Sequence, residues 1–228
     1  MLKLVIANKL YSSWSLRPWM VLQAFDIPFE ETVIPLRRSE TKDAIARVSP
    51  SGKVPALIDG DVRVWESLAI IEYLAEQSPA HAIWPEDATA RAHARSISNE
   101  MHGGFLALRQ ACPMNLAKRF KTPDLSDDAI SNVARIEQIW RYARARYGSR
   151  TLDGGPYLFG RFTAADAMYA PVVTRLDTYQ IPVAADTRTY MDTVLAHPAF
   201  LDWKRAALAE PWTIADYETG HTATEIFR

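Results

Sequence analysis

Apolar positions change period several times in the first third of the chain and keep a helical period after it. Leu2–Ala7 is a short, nearly unbroken apolar run, the pattern of a strand covered on both faces. Polar Asn8–Ser13 follows. Leu16, Trp19, Met20 and Phe25 then recur at helical spacing until Asp26-Ile27-Pro28 ends the run. Phe29–Pro35 returns to β-formers, with Phe29, Thr32 and Val33. A strand, helix, strand sequence predicts parallel strands with a right-handed crossover. Glu40–Val48 reads as a weak, polar helix. Two β-type runs, Val54–Ile58 and Val62–Trp65, flank Asp59-Gly60, a strong hairpin signal. After the hairpin, Glu66 and Ser67 stand where a helix begins, and Leu68, Ile70, Ile71, Tyr73 and Leu74 continue it.

The resulting order, β-α-β-α-β-β-α, is that of a thioredoxin-like α/β domain: a four-stranded mixed sheet with helices on both faces. Composition shifts at Gln77-Ser78-Pro79-Ala80-His81, and Trp84-Pro85-Glu86-Asp87 follows. Beyond this point β character is scarce. Ala88 to about Leu116 predicts one long helix. Thr122–Asp127 is a break with Ser126 as N-cap, and a helix follows to about Tyr147 with Ile130, Val133, Ile136, Ile139 and Trp140 as its apolar stripe. Asp153-Gly154-Gly155-Pro156 is a turn. Thr163 and Asp166 have capping-box spacing ahead of a helix over Ala167–Tyr179, with Asp in place of the usual Glu. Helices near Ala184–Ala196 and Pro198–Ala209 and a mixed tail from Pro211 complete the chain. The expectation is a thioredoxin-like domain over 1–78, a linker over 79–87, and an all-α helical C-terminal domain over 88–228.

Composition narrows the partners. The chain has 228 residues, 48% of them hydrophobic and 23% charged, with a formal net charge of -1. That balance gives no electrostatic case for nucleic acid or an anionic membrane. No apolar run approaches the ~20 residues that span a bilayer, and Met1–Ala7 lacks signal-peptide architecture. The single cysteine, Cys112, excludes an intrachain disulfide framework and any CxxC redox or zinc motif. No metal site is expected, and the chain reads as cytoplasmic.

Two local features carry candidate chemistry. Pro55 follows Val54 at the start of a strand, a position suited to a cis X-Pro bond. Glu66-Ser67 puts a carboxylate and a hydroxyl beside the free N–H groups of a helix N-terminus. A third feature is the serine-rich loop before the first helix. Pro18 has no N–H and fits a regular helix only within its first turn, which places the N-cap no earlier than Ser15. On that reading Ser15 is the cap, and Ser12 and Ser13 are free to face a ligand.

The Val54-Pro55 step, Glu66-Ser67 with Leu68–Leu74 after it, Ser12-Ser13-Trp14-Ser15-Leu16-Arg17, and the Thr163/Asp166 motif stand in order along the chain. Together they resemble the cytosolic glutathione transferase superfamily, in its serine type and closest to zeta and tau members. The resemblance covers roughly Leu4 to Leu208. It implies that glutathione is the co-substrate, with no metal. Val54, held by Pro55, would pair its backbone with the cysteinyl part. Glu66 would accept from the γ-glutamyl ammonium, Ser67 and the helix N-terminus would meet its carboxylate, and Lys53 would meet the glycyl carboxylate. Counting back five positions from Arg17, as serine-type members do, makes Ser12 the residue that donates to the sulfur, with Ser13 second and Tyr11 a rival. A free thiol has a pKa near ~8.5, so such a donor raises the thiolate fraction. The electrophile pocket would be lined by Met101, His102, Phe105 and Arg109, which fall close to one helical face, by Trp14 of the serine loop, and by Arg175 on the capped helix. The resemblance implies a transferase acting on a small electrophile, as a homodimer. Its alternatives are a zeta-like maleylacetoacetate isomerase, or a non-catalytic interaction module on the same fold. The zeta signature has Cys where Trp14 stands here.

Overall fold

The central strand, β1 (Leu2–Ile6), shows how the first domain is layered in the computed structural model, which describes residues 1–148, 155–218 and 220–228. Leu4 and Ile6 point into the main core, and Val5, between them, points to the opposite face against Ile34 and Ile45. That is strand alternation with both faces covered. β1 pairs parallel with β2 (Phe29–Val33) and antiparallel with β3 (Ala56–Asp59), and β3 pairs with β4 (Val62–Trp65). The sheet order is β2-β1-β3-β4. Helices α1 (Ser13–Ala24) and α3 (Ser67–Gln77) supply Leu16, Met20, Ile70, Ile71 and Leu74 to the main core, and the short α2 (Thr41–Ala46) supplies Ile45 to the other face. This is the expected mixed sheet. The hairpin register, Asp59 opposite Val62, makes Gly60-Asp61 the two turn residues, with Gly60 at φ +55.

The second domain is helical: α4 (Ala88–Gly103), α5 (Leu106–Ala111), α6 (Asp127–Ala143), α7 (Ala164–Thr178), α8 (Ala185–Leu195) and α9 (Pro198–Ala209). α7 is its axis, with all but one of its residues buried, and it packs directly on α1 of the first domain. The buried Asp166 carboxylate fixes the start of α7. It accepts from the Thr163 and Leu158 N–H groups and from the Thr163 and Tyr190 hydroxyls. Asp153 and Gly154 of the expected turn lie outside the described residues.

Three expectations are corrected here. The single helix over Ala88–Leu116 is two. Gly104 ends α4 where a Cβ would sit 2.6 Å from the Glu100 carbonyl oxygen, and Phe105 takes φ 57 before α5 starts. The second domain is not purely helical, because β5 (Lys118–Phe120) pairs antiparallel with β6 (Ala223–Ile226) from the tail. And Ser15 is not the cap of α1. The helix begins at Ser13, with Ser12 as N-cap accepting from the Ser15 N–H, and Pro18 lies inside it. A proline there removes the bond to the Trp14 carbonyl. The buried Arg17 side chain anchors the same turn from within, donating to the Ser13 carbonyl and to Met168 of α7. Tertiary contacts thus hold a helix start that the local rule disfavours.

Candidate functional site

The site forms where the N-termini of α1 and α3 face α4, α5 and α7 across the boundary between the domains. Two neighbouring cavities share Trp14, Lys53, Val54 and Arg109 in their walls. The first, about 300 Å³, is lined by Lys53, Val54, Pro55, Glu66 and Ser67 from the first domain and by His102 and Arg109 from the second. The second, about 430 Å³, holds Tyr11, Ser12, Ser13, Arg175 and Tyr217 among its lining residues.

Each wall of the first cavity has a local cause. Val54-Pro55 is cis and stands just ahead of β3. Among the described residues no backbone hydrogen bond takes up the Val54 N–H or C=O. Glu66 caps α3 with φ 68 and ψ 125, a backbone conformation that costs a non-glycine residue about 1–3 kcal/mol and that concentrates at functional sites. The next residue, Ser67, opens the helix. It is 1% exposed, and its Oγ is buried with no hydrogen-bond partner among the described residues. A buried hydroxyl without a partner is costly. Here it stands in a cavity wall beside the open N–H groups of a helix start, an arrangement suited to a carboxylate. The Glu66 carboxylate lies 3.5 Å from His102 Nε2. Burial lowers the His102 pKa, Glu66 opposes that, and the Arg17 and Arg109 charges reinforce it, so the imidazole is held neutral at neutral pH.

The serine loop is held from the second domain at several points. Trp203 donates to the Lys9 carbonyl, the Glu210 carboxylate accepts from the Lys9 and Leu10 N–H groups, and Leu116 N–H donates to the Leu10 carbonyl. Ser12 and Ser13 are both buried. Ser12 Oγ donates to Ser15 Oγ at 2.7 Å, and Ser13 Oγ accepts from Arg175 Nη2 at 3.1 Å. The rival Tyr11 donates its hydroxyl to Glu218. Burial first, and that carboxylate second, raise its phenol far above the ordinary value.

Three arginines surround this floor. The Trp14 ring has Arg17 4.2 Å and Arg109 4.7 Å from its centroid, with His102 edge-on at 5.1 Å. Burial lowers the pKa of Arg17, Arg109 and Arg175, and for Arg17 the Arg175 and Arg109 charges, and for Arg175 the Arg109 charge, add to it. Burial, then Arg109, push Arg175 down to about 10. Such a cluster is a strong local field for an anion.

The structure therefore brings Ser12, Ser13, Trp14, Lys53, Val54, Pro55, Glu66, Ser67, His102, Arg109 and Arg175 to the two cavities. It does not bring Met101 or Phe105. Met101 and Phe105 are both buried in the main core, Phe105 at the break between α4 and α5. Sequence reasoning missed Ser51 and Tyr217 in the lining and Arg17 beneath Trp14. Ser51 carried a weak signal as part of the loop before Val54, whereas Tyr217 belongs to a tail with no periodicity. Among the described residues no group of three or more His, Cys, Asp or Glu is placed to hold a metal. No helix there is long and apolar enough to cross a membrane.

Comparison with known proteins gives a consistent family. Residues 11–77 match the model of the glutathione S-transferase N-terminal domain, and residues 116–206 match that of its C-terminal domain. A probable maleylacetoacetate isomerase of Caenorhabditis elegans is 36% identical over 48% of this chain and 53% of its own length. A zeta-class glutathione S-transferase of Euphorbia esula is 28% identical over 73% of this chain and 70% of its own. The chain spans about half the length of several of the curated relatives it matches. Among solved structures, a glutathione transferase homolog from Burkholderia gl BGR1, with bound glutathione, superposes with a TM-score of 0.68 at 22% identity, over 92% of this chain and 99% of that one.

Proposed function

The chain belongs to the glutathione S-transferase superfamily, and we propose that it is a serine-type transferase that binds glutathione across the two neighbouring cavities, its γ-glutamyl end in the first and its sulfur toward the second, and activates the thiol for attack on a small electrophile. One observation carries this reading above the others: the buried, unpartnered Ser67 Oγ in the cavity wall. In this scheme Ser67 and the α3 N-terminus receive the γ-glutamyl carboxylate, and Glu66 receives the ammonium. The open backbone at Val54 pairs with the cysteinyl unit, and Lys53 meets the glycyl end. The sulfur then lies over the N-terminus of α1, where a serine hydroxyl donates to it and the helix dipole favours the thiolate. The thiol proton leaves to water, the sulfur attacks the electrophilic carbon, and the leaving group departs or a conjugate forms.

A second reading, the zeta-like isomerase acting on an acidic cis-enedione, is supported by the three clustered arginines and by the resemblance to the worm isomerase. In that version glutathione adds to the double bond and leaves again, while Arg109 holds the substrate's carboxylate. The same family reading makes the working form a homodimer in the cytoplasm, where the buried, unpaired Cys112 stays reduced.

The test is calorimetric titration with glutathione, followed by assays of conjugation to an aromatic halide and of maleylacetone isomerisation. Saturable one-to-one binding with either activity is the expected result. Absence of binding would remove the enzyme reading and leave the interaction module. Arg109→Ala should lower isomerase kcat/KM by more than tenfold and conjugation of a neutral halide far less, because only the first has a charge to bind.

A further inference from the structure

The two serine hydroxyls before α1 are wired differently. A serine hydroxyl has one proton to give and two lone pairs to receive. Ser12 Oγ accepts from the Ser15 N–H and gives its proton to Ser15 Oγ at 2.7 Å, so both functions serve the helix cap. Ser13 Oγ accepts from Arg175 Nη2 at 3.1 Å, and no acceptor among the described residues takes its proton. Ser13 is among the residues that line the second cavity. Arg175, 5% exposed, comes from α7 in the other domain, and its Nη1 donates to the carbonyls of Arg109 and Cys112 at the end of α5. The guanidinium is thus a fixed fork between the two domains, and its free arm ends on Ser13 Oγ.

We propose that Arg175 is a positioning residue that occupies one lone pair of Ser13 Oγ and turns its proton into the cavity, so that Ser13 rather than Ser12 donates to the glutathione sulfur. This rests on the glutathione reading and deepens it. The groups around Ser13 suit a thiolate. Arg17 approaches from α1, Arg109 from α5, Arg175 from α7 and Lys53 from the loop before β3. Tyr11 and Cys112 are held neutral by burial. The glutathione thiol proton goes to water. Ser13 keeps its own proton and shares it with sulfur as a hydrogen bond, and no protein bond breaks.

The test is to saturate the protein with glutathione and follow the ultraviolet thiolate band against pH. Ser13→Ala should raise the midpoint of the bound thiol by about one unit, a tenfold loss of thiolate below the midpoint. Ser13→Thr should keep it near the original value. Ser12→Ala should move it less than Ser13→Ala, and the reverse order overturns the proposal. Arg175→Lys retains a cation but gives up the fork. It should raise the midpoint when Ser13 is present and leave it unmoved in the Ser13→Ala background. Equal shifts in both backgrounds would mean that Arg175 acts by charge or by general structure, and would overturn the positioning role. If Arg175→Lys loses its near-ultraviolet dichroism, the serine variants decide, and an unmoved midpoint in Ser13→Ala overturns the proposal. Absence of saturable glutathione binding by the unaltered protein would instead overturn the glutathione reading, and this proposal with it.

Discussion

Replacing Ser67 by alanine should push stability and binding in opposite directions. Ser67 is 1% exposed, and its Oγ has no partner among the described residues. A buried hydroxyl left unsatisfied costs about 1–3 kcal/mol. Its removal at the first position of α3 takes no hydrogen bond away, so the free variant should gain about 1 kcal/mol, the low end of that range. In the complex the same oxygen would donate to the γ-glutamyl carboxylate. Hydrogen bonds to charged groups contribute about 1.5–3 kcal/mol, which at about 1.4 kcal/mol per tenfold weakens glutathione binding by roughly tenfold to a hundredfold. Urea unfolding without ligand and calorimetric titration with glutathione measure the two effects separately. A variant that is less stable when free would mean that the hydroxyl already has a structural partner. A variant whose glutathione affinity is unchanged would mean that it does not meet the ligand. Either result would rule out an idle Ser67 hydroxyl held for the ligand.

Three further outcomes follow from the fold and its charges. Burial raises the Asp166 pKa from 3.8 to about 6 against four hydrogen bonds that lower it, so the folded state holds more protons than the unfolded between those values. The contribution of Asp166 is therefore greatest below about pH 4 and falls by about 3 kcal/mol as pH rises through about 6. Asp166→Asn should lose that slope in urea unfolding measured across the range, and an unchanged slope would count against it. Tyr11→Phe should leave the thiol midpoint of bound glutathione in place, because the hydroxyl is already committed to Glu218. It should lower stability by about 1–2 kcal/mol, and a raised midpoint would return Tyr11 to the chemistry. Gly104→Ala places a Cβ 2.6 Å from a backbone oxygen. It should destabilise by about 1–3 kcal/mol, read as a lower Tm, and an unchanged Tm would show that the α4–α5 corner can relax.

The parts legible in the sequence are those whose signal is local. Leu4-Val5-Ile6 gives a strand with two covered faces, the Thr163/Asp166 spacing starts α7, and Val54-Pro55 with Glu66-Ser67 lines one cavity because a tight hairpin joins the two pairs. What failed was set by distant contacts. Pro18 argued for a later helix start, but Arg17 reaches Met168 across the domain boundary and anchors the earlier one. Arg17, Arg109 and Arg175 are far apart in sequence and meet only because α1 packs on α7 and α5 ends beside it. β5 and β6 are separated by most of the second domain, and no periodicity marks a pair of three- and four-residue strands. The α4–α5 corner is different: Gly103-Gly104 carried a usable break signal, overlooked within an otherwise helical run.

A crystal structure of the protein with glutathione bound would show at once whether the cavity holds the tripeptide as proposed. The γ-glutamyl carboxylate is expected within hydrogen-bond distance of Ser67 Oγ, the ammonium at Glu66, the cysteinyl backbone paired with Val54, and the sulfur against the N-terminus of α1. Glutathione absent from this cavity at saturating concentration, or bound with its sulfur remote from Ser12 and Ser13, would contradict it.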